Sequence, residues 1–398
     1  MGSALTPSFT IPTVPRIERQ ATMTDKSITS AVIIGAGIFG VSTGVQLARR
    51  GIAVTILNDG PPANGASGRS LSWLNSARMR SEPYHRLRMA GIDRYRTLST
   101  RFPDADWLRF EGGLTWDADD KDNEIDTAYR HEVSLGYDAR HLAADDVATV
   151  TPGLDARAIT PQGAIFNPGE GWVDLPILID LLLKEFAALG GMLVTDRGKA
   201  RIMVEGGRAV GAETATGGRF LADAVVLATG PAVPKMAADA GQTIGDGTPI
   251  ALLVQTKPVT HPLRAVLNTP RVAVRPAPGG AFSLDADWAA DEGVRVREDG
   301  GYEIDDAVVD ALLAEASRVM EGNPRFEIAA IGVGGKPIPG DGEPVVGALR
   351  AVPGAYVVFS HSGATLGLIL GELLAHEIAT GGEHPMLATF RPERFLSR

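Results

Sequence analysis

Gly35, Gly37 and Gly40 stand in a G-x-G-x-x-G spacing directly after the apolar run 31–34 and at the start of a helix-patterned stretch. Such glycines permit a tight turn, let the backbone approach a pyrophosphate, and let a helix pack closely on a strand. The helix N-terminus adds an anion site, so the chemistry is dinucleotide binding. About twenty positions on, an acidic residue ordinarily chelates the adenosine ribose hydroxyls. Here Asn58 holds that place with Asp59 beside it, and the sequence leaves open which of them does so. Other reactive groups are sparse. With Cys 0, a thiol nucleophile, a disulfide framework, Cys-ligated zinc and iron–sulfur clusters are all excluded. The histidines form no metal set, and the acidic run 117–122 lacks the glycine and closing Glu of a calcium loop. No metal is expected. Ala330 and Pro337 stand where a P-loop would need Gly and Ser or Thr, which excludes that motif around Lys336. Residues 69–101 hold eight arginines against Glu82 and Asp93. Such a stripe either steers an anionic substrate or is the solvated face of a helix.

The elements that must position these groups are legible from periodicity. Strand 31–34, helix 38–50 stopped by Gly51, and strand 53–57 form a βαβ unit. Asp174 caps a helix over 175–189 that ends at Gly190-Gly191. Short strands follow at 192–195, 201–204, 209–214 and 224–228, the last running into Thr229-Gly230. Alternation in 251–259 and 272–275 predicts an antiparallel sheet, with a helix over 305–320 behind it. A last strand, 356–360, leads through a glycine turn into a helix over 365–380 with one apolar face. The fold class is therefore α/β: a Rossmann-like domain visited three times (30–80, 166–235 and 331–398), with an antiparallel-sheet substrate domain from 81–165 and 236–330. Residues 1–29 read as a loose leader.

Composition agrees. The 398 residues, 44% hydrophobic and 22% charged, suit a globular protein of about two domains. A net charge of −10 argues against nucleic acid as a partner. Residues 1–29 have no apolar h-region, and no stretch is uninterrupted enough for a membrane span. The expected location is the cytoplasm.

Four segments in order resemble the D-amino-acid oxidase / glycine oxidase / sarcosine oxidase family of FAD enzymes. They are VIIGAGIFGVSTGVQLARRGIAVTIL with NGASGRS; GWVDLPILIDLLLKEFAALGG; ADAVVLATG; and GGKPIPGDGEPVVGAL with AYVVFSHSGATLGLILGELLAHEI, closed by FRPERF. The resemblance implies a noncovalent FAD, since no cysteine is present to tether it. It implies that the fingerprint stretch Gly35, Gly37, Ile38, Phe39 and Gly40 contacts the cofactor. Ser67, Arg69 and Ser70 would reach the phosphates or ring, the backbone near Ala200 the adenine, and Thr229, Gly230 and Gly335 would pass close by. The helix start His361, Ser362, Gly363, Ala364, Thr365, Leu366 and Gly367 would face the flavin, its unpaired amides aimed at the charge that develops on the ring. Lys336 stands where relatives often carry an Arg that forks onto the substrate carboxylate; Lys keeps the charge without the bidentate geometry. Lys336 and His361 are the expected catalytic residues, with Trp73, Asn75, Arg78 and Arg275 beside Lys336 around the substrate.

The implied reaction is oxidation of a C–N bond in an amino acid or N-substituted amino acid. A hydride passes to flavin N5, the resulting imine hydrolyses, and O2 or another acceptor reoxidises the flavin. Two alternatives share the first motif: an FAD monooxygenase reduced by NADPH, and a noncatalytic or electron-relay flavoprotein.

Overall fold

The computed structural model describes residues 28–396; most of the leader, 1–27, lies outside the described residues. Its organising element is a six-stranded sheet in the order Val345–Ala348, Ala355–Phe359, Ala224–Leu227, Ser30–Ile34, Ala53–Leu57, Met192–Val194. The pairings are parallel except for the antiparallel hairpin at the Val345–Ala348 edge. Apolar runs without alternation form such strands because both faces are covered. Along Ser30–Ile34, Ala31 and Ile33 point into one core while Val32 and Ile34 point into another. The first core lies under the helices Ile38–Ala48, Leu175–Ala188 and Gly363–Thr380. The second lies under an antiparallel meander, Ala200–Glu205, Arg208–Thr214 and Arg219–Leu221. Asp223 fastens the start of the central strand, accepting hydrogen bonds from Thr29 and Ser30 through both backbone and hydroxyl donors.

The last helix begins at Gly363, two residues before the apolar pattern predicts, and runs to Thr380. It lies so close to the first helix that a Cβ on Gly367 would overlap Ile38, and one on Gly371 would overlap Ser42.

The second sheet has eight strands, in the order Ile328–Gly335, Ile250–Thr256, Ala281–Asp285, Ala273–Ala277, Val266–Asn268, Gly113–Thr115, Ala164–Asn167, Arg140–Leu142. The helix Asp306–Arg318 packs Val309, Leu312 and Ala316 beneath it. The sheet is mixed rather than purely antiparallel. Val266–Asn268 and Gly113–Thr115 run parallel where the two excursions of the chain meet. Two of its strands, Ala164–Asn167 and Ile328–Gly335, straddle the expected boundaries at 165/166 and 330/331. A short sheet of Trp73–Leu74, Gly171–Val173 and Leu108–Arg109 joins the two parts.

Candidate active site

The carboxyl ends of the parallel strands open into one continuous cleft of about 1180 Å³, the place where open α/β sheets take ligands. Small-molecule sites occupy roughly 300–1,000 Å³, so this one has room for a dinucleotide and a small substrate together. It runs from Asn58, Asp59 and Ala200, past Gly35, Gly37, Ile38, Phe39, Thr229 and Gly230, to Gly335, Trp73 and His361. Gly35 has φ +113, and a Cβ there would overlap the Ala228 carbonyl. Gly40 does not line the cleft. A Cβ on it would overlap the Gly35 carbonyl, so its task is to let the helix sit on the turn.

Asn58 is occupied. Its Oδ1 accepts from the Ala36 amide at 2.9 Å, and its Nδ2 donates to the carbonyls of Gly60 and Pro61, each at 2.9 Å. An aspartate, which only accepts when ionised, could not bind those two carbonyls. Asn58 thus pins the glycine turn to the 60–64 loop. Asp59 is exposed, lines the cleft and makes no side-chain hydrogen bond among the described residues. Ser67 reaches back over the first helix, its Oγ accepting from the Ile38 amide at 3.1 Å. Arg69 lies across the strand Ile328–Gly335, where alternate glycines Gly332 and Gly334 leave space for its side chain, and donates to the Asn64 carbonyl at 2.9 Å. Both line the cleft, as does Ser70.

At the other end, the last helix starts without a side-chain cap. Ser362, which could fold back on the first turn, instead meets the Tyr84 hydroxyl at 2.5 Å and the Arg88 guanidinium. The Gly363 amide donates to the His361 carbonyl at 2.9 Å, which leaves the amides of Ala364 and Thr365 without a backbone acceptor where these residues line the cleft. Nothing approaches a Cβ position on Gly363 closer than 3.8 Å. Thr365 ties this helix to the short Trp73 strand, donating to the Trp73 carbonyl and accepting from the Asn75 amide. Trp73, Asn75 and Arg78 line the cleft as expected. Leu366 and Gly367 do not: Leu366 is fully buried in the helical core, and Gly367 faces Ile38 and Tyr95. The helical period turns those two positions away from the ligand side.

The charged residues are distributed differently from the expectation. Lys336 is in the cleft, but its Nζ lies 2.9 Å from Asp287 and 3.5 Å from Asp285. Burial lowers its proton affinity, yet the two carboxylates outweigh burial and hold the ammonium above its ordinary pKa. Arg78 is spoken for by Asp117 at 3.0 Å. Arg275, expected beside the substrate, does not line the cleft. It is buried in the second sheet, donates to Ser283 and the Pro276 carbonyl, and lies over the Trp172 ring. His361 lines the cleft and makes no side-chain hydrogen bond among the described residues. Its ring is exposed to the cleft, and the enclosing protein, then the charges of Lys336, Arg88 and Arg80, lower its pKa to about 4. The imidazole is neutral at neutral pH.

Arg80, Arg88, Asp285 and Asp287 are cleft residues that the sequence reading did not single out. A signal existed for Arg88. It falls on the stripe Tyr84, Leu87, Arg88, Gly91, Ile92, Tyr95 that buries the helix Glu82–Ser99, so a cation there needed partners. It finds Asn75 O and Oδ1, each at 2.7 Å. Among the described residues no cluster of His, Asp and Glu is fit to hold a metal, and no helix is long and apolar enough to cross a membrane.

The chain is similar to several known proteins. A Bacillus subtilis protein named as the uncharacterized oxidoreductase YurR is 26% identical over 378 residues, covering 87% of this chain and 94% of that protein. The glycine oxidase of Geobacillus kaustophilus is 28% identical over 225 residues, 53% of this chain and 57% of that enzyme. Its crystal structure superposes with a TM-score of 0.76 at 21% identity, covering 92% of this chain and 99% of that one. L-amino acid deaminase from Proteus myxofaciens also superposes with a TM-score of 0.76, at 19% identity and 96% coverage of each chain. The FAD dependent oxidoreductase family, DAO, matches residues 30–377, and with the glycine turn, the cleft and the uncapped terminal helix in place this chain belongs to that family of FAD-dependent enzymes.

Proposed function

We propose that the protein oxidises the C–N bond of an amino acid or N-substituted amino acid. The observation that carries this reading is the uncapped start of the helix Gly363–Thr380, opening into the same space as Trp73, Asn75 and His361. FAD supplies the two-electron chemistry, accepting a hydride from the substrate carbon. The nitrogen lone pair becomes the second bond of an imine, and water then adds to release an amine and a carbonyl compound. No protein base is required, so the residues act by placement and electrostatics.

In this reading Gly35, Gly37, Ile38 and Phe39 cradle the pyrophosphate, and Ser67, Arg69 and Ser70 flank it. Asp59 takes the ribose, and the backbone at Ala200 meets the adenine. Thr229, Gly230 and Gly335 pass along the cofactor, and the His361–Thr365 turn holds the ring with its positive helix end. Trp73 and Asn75 wall the substrate space, and neutral His361 orients the substrate. Lys336 braces Asp285 and Asp287 rather than gripping a carboxylate itself. FAD is held noncovalently, and O2 or another acceptor takes its electrons. Ile328–Gly335 belongs with the substrate domain, and the cytoplasm is the compartment.

Anaerobic mixing of the FAD-loaded protein with amino acids and N-alkyl amino acids tests the reading, with loss of the oxidised flavin band as the expected result. Bleaching by NADPH and by no amine would refute it.

A further inference from the structure

The two guanidinium groups at the inner end of the cleft form no ion pair among the described residues; Glu170 and Glu343 act on Arg80 only from a distance, and burial and Arg88 outweigh them. Arg80 makes no side-chain hydrogen bond or ion pair among the described residues, and its Nε is buried without an acceptor. Arg88, buried, bonds only to uncharged acceptors on Asn75, Tyr84 and Ser362. Both guanidinium carbons lie within 6 Å of the Tyr84 ring centroid, at 5.9 and 5.2 Å. Two cations gathered in a desolvated wall repel one another, and an anion seated there relieves both. The other pole has the opposite imbalance. Asp285 and Asp287 share the single ammonium of Lys336; burial pushes the Asp285 carboxyl up, while the Asp287 carboxylate is held down by Lys336 and its side chain is 85% exposed. His361 lines the same cleft as both groups.

We propose that the substrate is an amino acid with a second basic group, its carboxylate held by Arg80 and its distal cation by Asp287. The proposal rests on the amine-oxidation reading above. The reacting α-nitrogen must be neutral, and a carboxylate beside it would keep it protonated. The acidic pole therefore suits a cation further along the substrate. Asp287 is open to solvent, so its attraction is screened, and a discrimination of roughly tenfold is what a pair about 4 Å apart gives in a near-aqueous dielectric.

The test titrates FAD-loaded protein anaerobically with each enantiomer of lysine and of norleucine, which has the same carbon chain without the distal ammonium. Calorimetry follows binding and the flavin band follows reduction. One enantiomer of lysine is expected to bind roughly tenfold more tightly than the matching norleucine. Asp287→Asn, with FAD content retained, brings that ratio close to one. Arg80→Gln weakens both compounds, and Arg80→Lys recovers part of the loss. Acetate, which carries only the carboxylate, loses affinity in Arg80→Gln but not in Asp287→Asn. Equal binding of lysine and norleucine, a preference that survives Asp287→Asn, or acetate binding indifferent to Arg80→Gln overturns the proposal. A lysine preference in binding with no flavin reduction by any amino acid leaves both poles standing and refutes the oxidation reading instead.

Discussion

Asn58 and Asp59 are adjacent, yet their contacts predict opposite consequences when each is changed. Asn58→Asp keeps the acceptor for the Ala36 amide but replaces the Nδ2 donor, which makes two 2.9 Å bonds to Gly60 and Pro61, by a carboxylate oxygen facing both carbonyls. Two hydrogen bonds at about 0.5–1.5 kcal/mol each put the loss at about 1–3 kcal/mol of stability in the cofactor-free protein, before any repulsion. Asp59→Ala removes a side chain with no partner, so cofactor-free stability should be unchanged. A charged hydrogen bond to ribose is worth about 1.5–3 kcal/mol, and exposure argues for the lower end, so FAD affinity should fall roughly tenfold. Urea denaturation without FAD measures the first effect. FAD titration, followed by tryptophan fluorescence, measures the second. Full FAD affinity in Asp59→Ala, or undiminished stability in Asn58→Asp, would show that the roles of the two residues have been misassigned.

Gly367→Ala forces a Cβ into Ile38 and to 2.9 Å from the Tyr95 hydroxyl, and overpacking of this kind costs about 1–3 kcal/mol in denaturation experiments. Gly363→Ala, with 3.8 Å of clearance, should be neutral for folding, whereas Gly363→Leu should reduce FAD content; normal flavin content in the leucine variant would remove Gly363 from the ring's surroundings. Burial raises the Glu170 pKa to about 8. The folded protein therefore keeps a proton that the unfolded chain gives up near 4.5, and stability should fall as pH rises between those values. Urea midpoints across that range should lose this decline in Glu170→Gln, and an unchanged slope would count against a buried protonated carboxyl. Arg275→Met replaces a buried cation that forms no ion pair among the described residues and feels Asp174 only from a distance, so stability should be equal or higher and substrate KM unchanged. A raised KM in a folded Arg275→Met would return that residue to the site.

The cofactor half of this fold was readable because its requirements are local. A glycine that must adopt φ +113, a helix start that follows it and apolar strands buried on two faces all leave marks within a few positions. Even the conflict at Asn58 was visible as a departure, although only the 60–64 loop carbonyls explain why an amide is needed there. The substrate end was less legible because charge compensation is nonlocal. Lys336 looked like a free anchor until Asp285 and Asp287, some fifty residues away, were found beside it. Arg275 sits on an alternating strand that gives no sign of which side faces the cleft. Arg80 and Arg88 belonged to a stripe that also reads as a solvated face, and only the packing of Tyr84 and Ser362 separates buried cations from exposed ones. The parallel join in the second sheet depends on two excursions meeting, which periodicity within either cannot reveal.

Hydrogen–deuterium exchange, with and without FAD, tests most directly whether a single flavin is clasped from both ends of the chain. Amides of 35–40 and of 361–366 should both slow on binding, with the same dependence on FAD concentration. Protection confined to 35–40, with the terminal helix start exchanging as freely as before, would contradict the account.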